Sequence, residues 1–183
     1  ATVRRSVLDG VAPPDMALPA SLSTDAQQTF DALLDACERE AACSKAYPRL
    51  RASWAVLLSS LPKPIELRDP HSGQTVRFTL DKDALLGAVR GPLYLPSIAS
   101  ALPAAISQAA VGRFEALAAL ATVLMPRPGR AAKDGIAAGM HFSVVCSEDV
   151  PRLQFNTDGA GRDFGNSGRE LYQRVCADWP RGE

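Results

Sequence analysis

The chain has 183 residues, 46% of them hydrophobic, 22% charged and 6% aromatic, which excludes disordered and collagen-like chains and suits one globular domain, at most two. Twenty basic side chains offset twenty acidic ones, so no net field draws the protein to a phosphate backbone or an anionic membrane, and neither nucleic acid nor a membrane is an expected partner. Apolar runs such as Val144 to Cys146 fall far short of the roughly 20 residues that span a bilayer, and no apolar stretch follows the basic pair Arg4 and Arg5.

Thirty alanines, many at helical spacing, point to a mostly helical protein with closely packed helices. Residues 3 to 9 read as a short strand ended by Gly10 and the pair Pro13 and Pro14, with no partner strand nearby. Thr24 and Gln27 have capping-box spacing, and Ala26, Phe30, Leu33, Leu34 and Cys37 share one face behind them, which predicts a helix over about 25–40. Pro48 opens a second helix carrying Leu50, Trp54, Leu57, Leu58 and Leu61, ended by Pro62 and Pro64.

From Pro64 to Leu80 the period changes to two. Ile65 and Leu67 alternate with charged neighbours, as do Val76 and Phe78, around a turn from Asp69 to Gly73 that includes His71, and this predicts a β-hairpin with one apolar face laid on the helices. Asp81 then caps a helix through Leu85, Leu86 and Val89 that Gly91 stops. Pro96 and Pro103 open two further helical stretches, and Phe114, Leu117, Leu120 and Leu124 mark another. Met125 to Arg130 reads as a connector, Ile136, Met140 and Val144 favour a helix over a strand, and 150–166 reads as a long loop. Ser167 and Glu170 have capping-box spacing ahead of a last helix carrying Leu171, Tyr172, Val175, Cys176 and Trp179.

The chain contains no G-x-S-x-G turn, no P-loop and no Rossmann glycine pattern, and neither His71 nor His141 sits at metal-ligand spacing. No metal or cofactor is expected. Cys37, Cys43, Cys146 and Cys176 include no C-x-x-C pair, and two disulfides are favoured over a zinc site assembled from scattered ligands. A Cys37 to Cys43 bond requires the helix to end near Glu40, because residues six apart in a continuous helix stand ~9 Å apart along the axis. In the loop-entropy model that short ring is worth about 2.4 kcal/mol and a Cys146 to Cys176 ring about 3.6 kcal/mol. Four buried free thiols, or Cys146 as a nucleophile with His141 as base, are the alternatives. Adjacent Glu148 and Asp149, behind an apolar run, could hold a cation such as the ammonium of a peptide N-terminus. Spacing alone favours a simpler reading in which Asp149 caps a turn and Glu148 is solvated.

Several separated stretches resemble, in order, the cap region of bacterial α/β-hydrolases of the proline iminopeptidase and tripeptidyl aminopeptidase group. They are 3–14, Asp31 to Cys37 with Ala42 and Cys43, the hairpin at Arg68 to Pro70, Gly139 to Pro151, and Cys176 to Pro180, and only 155–164 departs. The resemblance implies a mainly α architecture: a helical cap of about seven helices over 15–183 with one hairpin at about 64–80, and in 1–14 a strand and exit loop belonging to an α/β core sheet. The family's serine lies upstream of that strand and its acid and histidine downstream of the final Trp-Pro, so no catalytic residue is expected in this chain. The implied function is a substrate-gating and substrate-selecting cap of a serine exopeptidase, with the remainder of the α/β-hydrolase core and a peptide with a free N-terminus as partners and with Glu148 and Asp149 as amine-binding residues. The cysteines resemble the disulfides of exported members, which implies a periplasmic or secreted home. The alternative is a stand-alone helical binding module without catalysis.

Overall fold

The computed structural model describes residues 3–9, 11–69, 72–122, 137–155 and 161–180. The protein is mainly helical with one two-stranded antiparallel hairpin, in the order α1 (Leu22–Arg39), α2 (Ala41–Ala46), α3 (Leu50–Ser59), β1 (Lys63–Arg68), β2 (Thr75–Leu80), α4 (Lys82–Leu93), α5 (Pro96–Ala99), α6 (Leu102–Ala109), α7 (Glu115–Thr122), α8 (Ala138–Val144) and α9 (Ser167–Ala177). A π-helical turn, Val145–Asp149, and a 3-10 stretch, Val150–Phe155, follow α8 directly.

One apolar core unites α1, α3, α4, α6 and α7. Phe30, Leu34, Leu57, Leu85, Leu102 and Ile106 are completely buried in it. The spacing of Phe30 and Leu34 puts both on the inner stripe of α1, and Trp54 of α3 meets Phe30 at a ring separation of 4.7 Å. Phe164, from the chain ahead of α9, closes the same group edge-on to Phe30 at 6.1 Å. A smaller cluster joins Ala17 and Ala20 to Leu153.

Cys37 bonds to Cys43, and the helix breaks where that bond requires: α1 ends at Arg39, Glu40 is extended, and its carboxylate caps α2 by accepting from Cys43 N at 2.6 Å. The hairpin pairs Ile65 with Phe78 and Leu67 with Val76, so all four share a face. That face meets the helical core from both strands: Ile65, Leu67 and Leu80 are buried in it and Val76 packs against it, while Phe78 is 45% exposed. Asp81 caps α4, its Oδ1 accepting from Ala84 N at 2.8 Å. Asp81→Ala is expected to lower stability by about 1 kcal/mol, read as a shift in the urea midpoint with unchanged slope.

Residues 3–9, expected as a strand with no partner nearby, join no strand ladder among the described residues, and Val7 is 92% exposed. Several local expectations are corrected. Helix α1 starts at Leu22, not Asp25. Thr24 lies inside its first turn and donates to Ser21 O at 3.0 Å, while Gln27 bonds to Asp163 across the fold. Helix α4 runs through Gly91 and Pro92 to Leu93. Much of 150–166 is not loop: Val150–Phe155 is helical, since Pro151 suits a helix start, and Gly161 and Gly165 form a β-bridge. The N-cap of α9 is Asn166, whose side chain makes no capping hydrogen bond among the described residues. His71, Leu124, Met125 to Arg130 and Ile136 lie outside the described residues.

Candidate functional site

Cys146 and Cys176 are both fully buried and bonded to each other, which staples α9 to the π-helical turn. All four cysteines are therefore oxidised, and neither a zinc site built from them nor Cys146 as a nucleophile survives. The helix favoured around Met140 and Val144 is present as α8, and the strand alternative for Phe142 to Cys146 is not.

Glu148 and Asp149 sit on that stapled turn in different surroundings. Asp149 accepts from Arg152 Nη2 at 2.8 Å and its side chain is 13% exposed. Arg152 in turn donates to Glu148 O at 2.8 Å, Pro14 O at 3.2 Å and Met16 O at 2.8 Å, which fastens the segment leading into the helical body to the turn. Asp149 thus neutralises a structural arginine. The Glu148 side chain is exposed and in no ion pair among the described residues. The turn is held from three sides, by the disulfide, by Arg152 and by the buried Val145, so the Glu148 carboxylate projects from a fixed backbone.

Beside the turn, His141 Nε2 lies 2.8 Å from Tyr172 OH, and Phe142 packs against Tyr172 and Trp179 at ring separations of 5.6 and 5.4 Å. Burial pushes the Tyr172 hydroxyl above its ordinary range, with the charge of Asp149 adding to the effect and that of Arg90 opposing it. The phenol stays protonated at neutral pH. His141 is thereby bound into an aromatic wall and has no thiol to serve. Neither a family model, nor a curated protein, nor a solved structure matches this chain. Among the described residues no helix is long and apolar enough to cross a membrane, and no group of three His, Cys, Asp or Glu side chains could hold a metal ion.

Two features lay beyond sequence reasoning. A cleft of about 290 Å³ runs between α4 and α9, and Arg90, Arg169 and Arg174 all line it. The only sequence signal was that each arginine falls on the polar side of a helical pattern. Nothing local places α4 beside α9. The second is a knot around Asp163, whose Oδ2 accepts from Trp54 Nε1 at 2.9 Å, Gln27 Nε2 at 3.4 Å and Arg162 Nη2 at 3.1 Å, while its backbone N–H donates to Gln27 Oε1 at 2.7 Å. Arg162 also reaches Asp31 at 2.9 Å, and Arg51 ties Asp31, Asp35 and Glu38 together. This knot docks 161–165 onto α1 and α3 and sets Phe164 in both the core and the cleft wall.

Proposed function

We propose that the chain is the substrate-gating and substrate-selecting cap of a serine exopeptidase of the α/β-hydrolase kind, acting on peptides with a free N-terminus, with the chemistry carried by residues outside it. The ordered resemblance along nearly the whole chain supports this reading. The single observation that carries it is the setting of Glu148: an exposed carboxylate on a turn held by a disulfide and a multiply bonded arginine, a ready partner for a substrate ammonium. Asp149 contributes by holding Arg152, and through it the turn, in place. A mainly helical body with two disulfides suits a lid working in an oxidising compartment, periplasmic or extracellular. The exposed Val3, Val7, Leu8 and Val11 supply an apolar edge for a core sheet to pair with or cover.

The test is turnover of aminoacyl and tripeptidyl reporter substrates. The chain alone is expected to give none. Joined to its flanking coding sequence, it is expected to cleave reporters with free N-termini and to spare N-acetylated ones. Glu148→Gln is expected to raise KM for the free-amine reporters by about tenfold or more while changing kcat less, since a charge-assisted contact made in the ground state is lost. Turnover by the chain alone that depends on one of its own residues overturns the proposal. A reading frame without a serine elbow turns the assignment to a stand-alone binding module, which the self-closing helical core would equally suit.

A further inference from the structure

We infer that the cleft between α4 and α9 is an anion site that takes a peptide carboxylate, either an acidic side chain or a C-terminus. The peptide half of this inference rests on the exopeptidase reading, and the carboxylate half rests on the arginines alone.

Three guanidinium groups line the cleft against a single carboxylate, Asp83, in a chain whose formal net charge is zero. Positive charge is therefore concentrated here and offset elsewhere. None of the three arginines, nor Asp83, enters an ion pair among the described residues, whereas Arg51, Arg77, Arg152 and Arg162 all do. Among the described residues, then, no carboxylate of the chain neutralises the three guanidinium groups that share this cleft.

Two of the three are nevertheless held in place. Arg169 donates through Nη2 to Leu153 O at 2.9 Å, and Arg90 donates through Nη2 to Tyr94 OH at 3.2 Å. A guanidinium has five N–H donors in a planar fork, so each keeps donors to offer after making that bond. Arg174 is exposed and makes no hydrogen bond among the described residues. Leu22, Leu86 and Phe164 form an apolar wall beside these groups. Apolar surroundings lower the local dielectric and strengthen an arginine–carboxylate pair relative to one in open water.

Size and shape select the ligand class. A volume of about 290 Å³ lies at the small end of ligand sites, enough for a short segment of a peptide and too little for a large cofactor. The walls are part apolar and part cationic, which suits a group with a carboxylate at one end and a hydrocarbon body. Inorganic phosphate would use the arginines and leave the wall idle.

The test is titration of the disulfide-bonded chain, followed by NMR, with four probes: N-acetylated tri-alanine with a free C-terminus, its C-terminal amide, an acetylated and amidated Ala-Glu-Ala, and inorganic phosphate. Acetylation keeps the amine site at Glu148 out of the measurement, so failure of amine recognition and failure of this inference are distinguishable. The expected result is that either carboxylate peptide binds at least tenfold more tightly than the neutral amide and more tightly than phosphate. Arg174→Gln is expected to weaken carboxylate binding about tenfold with an unchanged thermal midpoint, and Arg174→Lys to fall between the two. Equal binding of acid and amide, no effect of Arg174→Gln, or no saturation by either acid up to about 10 mM would each overturn the inference. Tighter binding of phosphate than of either acid would also overturn it, making the cleft a phosphate site.

Discussion

Replacing Cys146 and Cys176 together by alanine is expected to lower the unfolding free energy by about 3.6 kcal/mol, against about 2.4 kcal/mol for Cys37 and Cys43. The difference follows from sequence separation, 30 residues in one ring and 6 in the other, because the longer ring removes more freedom from the unfolded chain. Burial widens the gap, since both Cys146 and Cys176 are completely enclosed and alanine there leaves unfilled space, whereas Cys43 is only partly covered. Urea unfolding of the two double variants measures the order directly, and an increased slope accompanies loss of a cross-link as the unfolded chain expands. Equal losses, or a larger loss for Cys37 and Cys43, would contradict this account. A functional consequence comes with it. The Cys146–Cys176 bond ties α9, which carries Arg169 and Arg174, to the turn that carries Glu148, so its removal is expected to weaken carboxylate and ammonium recognition together.

The features legible in the sequence are those whose cause is local. Alternation at Ile65 and Leu67 sets the hairpin because a strand's two faces repeat every second residue wherever it sits. The break between α1 and α2 follows from helix geometry once Cys37 and Cys43 are bonded, and the Asp81 cap needs only the N–H three residues on. Long-range demands overrule local patterns elsewhere. Gln27 stands at capping-box spacing from Thr24, yet its amide serves Asp163, 136 residues away, and the helix begins further upstream. Gly91 reads as a stop. The buried Pro92 instead lies inside α4, which runs on to Leu93 although a proline has no N–H to give the carbonyl four residues earlier. Glu148 and Asp149 are adjacent in sequence and equivalent by composition, and only the fold separates them, by placing Arg152 against one and solvent against the other. The arginine cleft had no local signature, since its members come from two helices about 80 positions apart in the chain.

Asp163→Asn is expected to cost about 2 kcal/mol at neutral pH and to lower the thermal midpoint by roughly 4–8 °C. One oxygen of this carboxylate accepts from Trp54, Gln27 and Arg162, and an amide brings a neutral acceptor on one side and a second donor facing Arg162 on the other. Burial pushes the carboxyl of Asp163 up, but the hydrogen bonds from Arg162, Trp54 and Gln27 and the charge of Arg162 outweigh it and hold the group below its ordinary value of 3.8. A carboxyl depressed on folding contributes stability that is complete above its unfolded value, about pH 4, and is lost as the pH falls through the folded value. The gap between wild type and Asp163→Asn is therefore expected to be constant from pH 5 to 7 and to narrow below pH 4, because only the wild type has this proton to take up. Thermal unfolding followed by near-ultraviolet circular dichroism, to which Trp54 contributes, tests this at each pH. A gap that stays constant to pH 2 would show that packing, not the ionised carboxylate, fastens the segment. The segment it fastens has no slack: a Cβ on Gly161 would stand 2.5 Å from Ser23 O, so 161–165 seats on α1 only at backbone contact. Phe164 reaches both the core and the arginine cleft from that seat. Loosening Asp163 is thus expected to weaken carboxylate binding without touching an arginine of the cleft, and that loss should follow the same pH dependence as the stability.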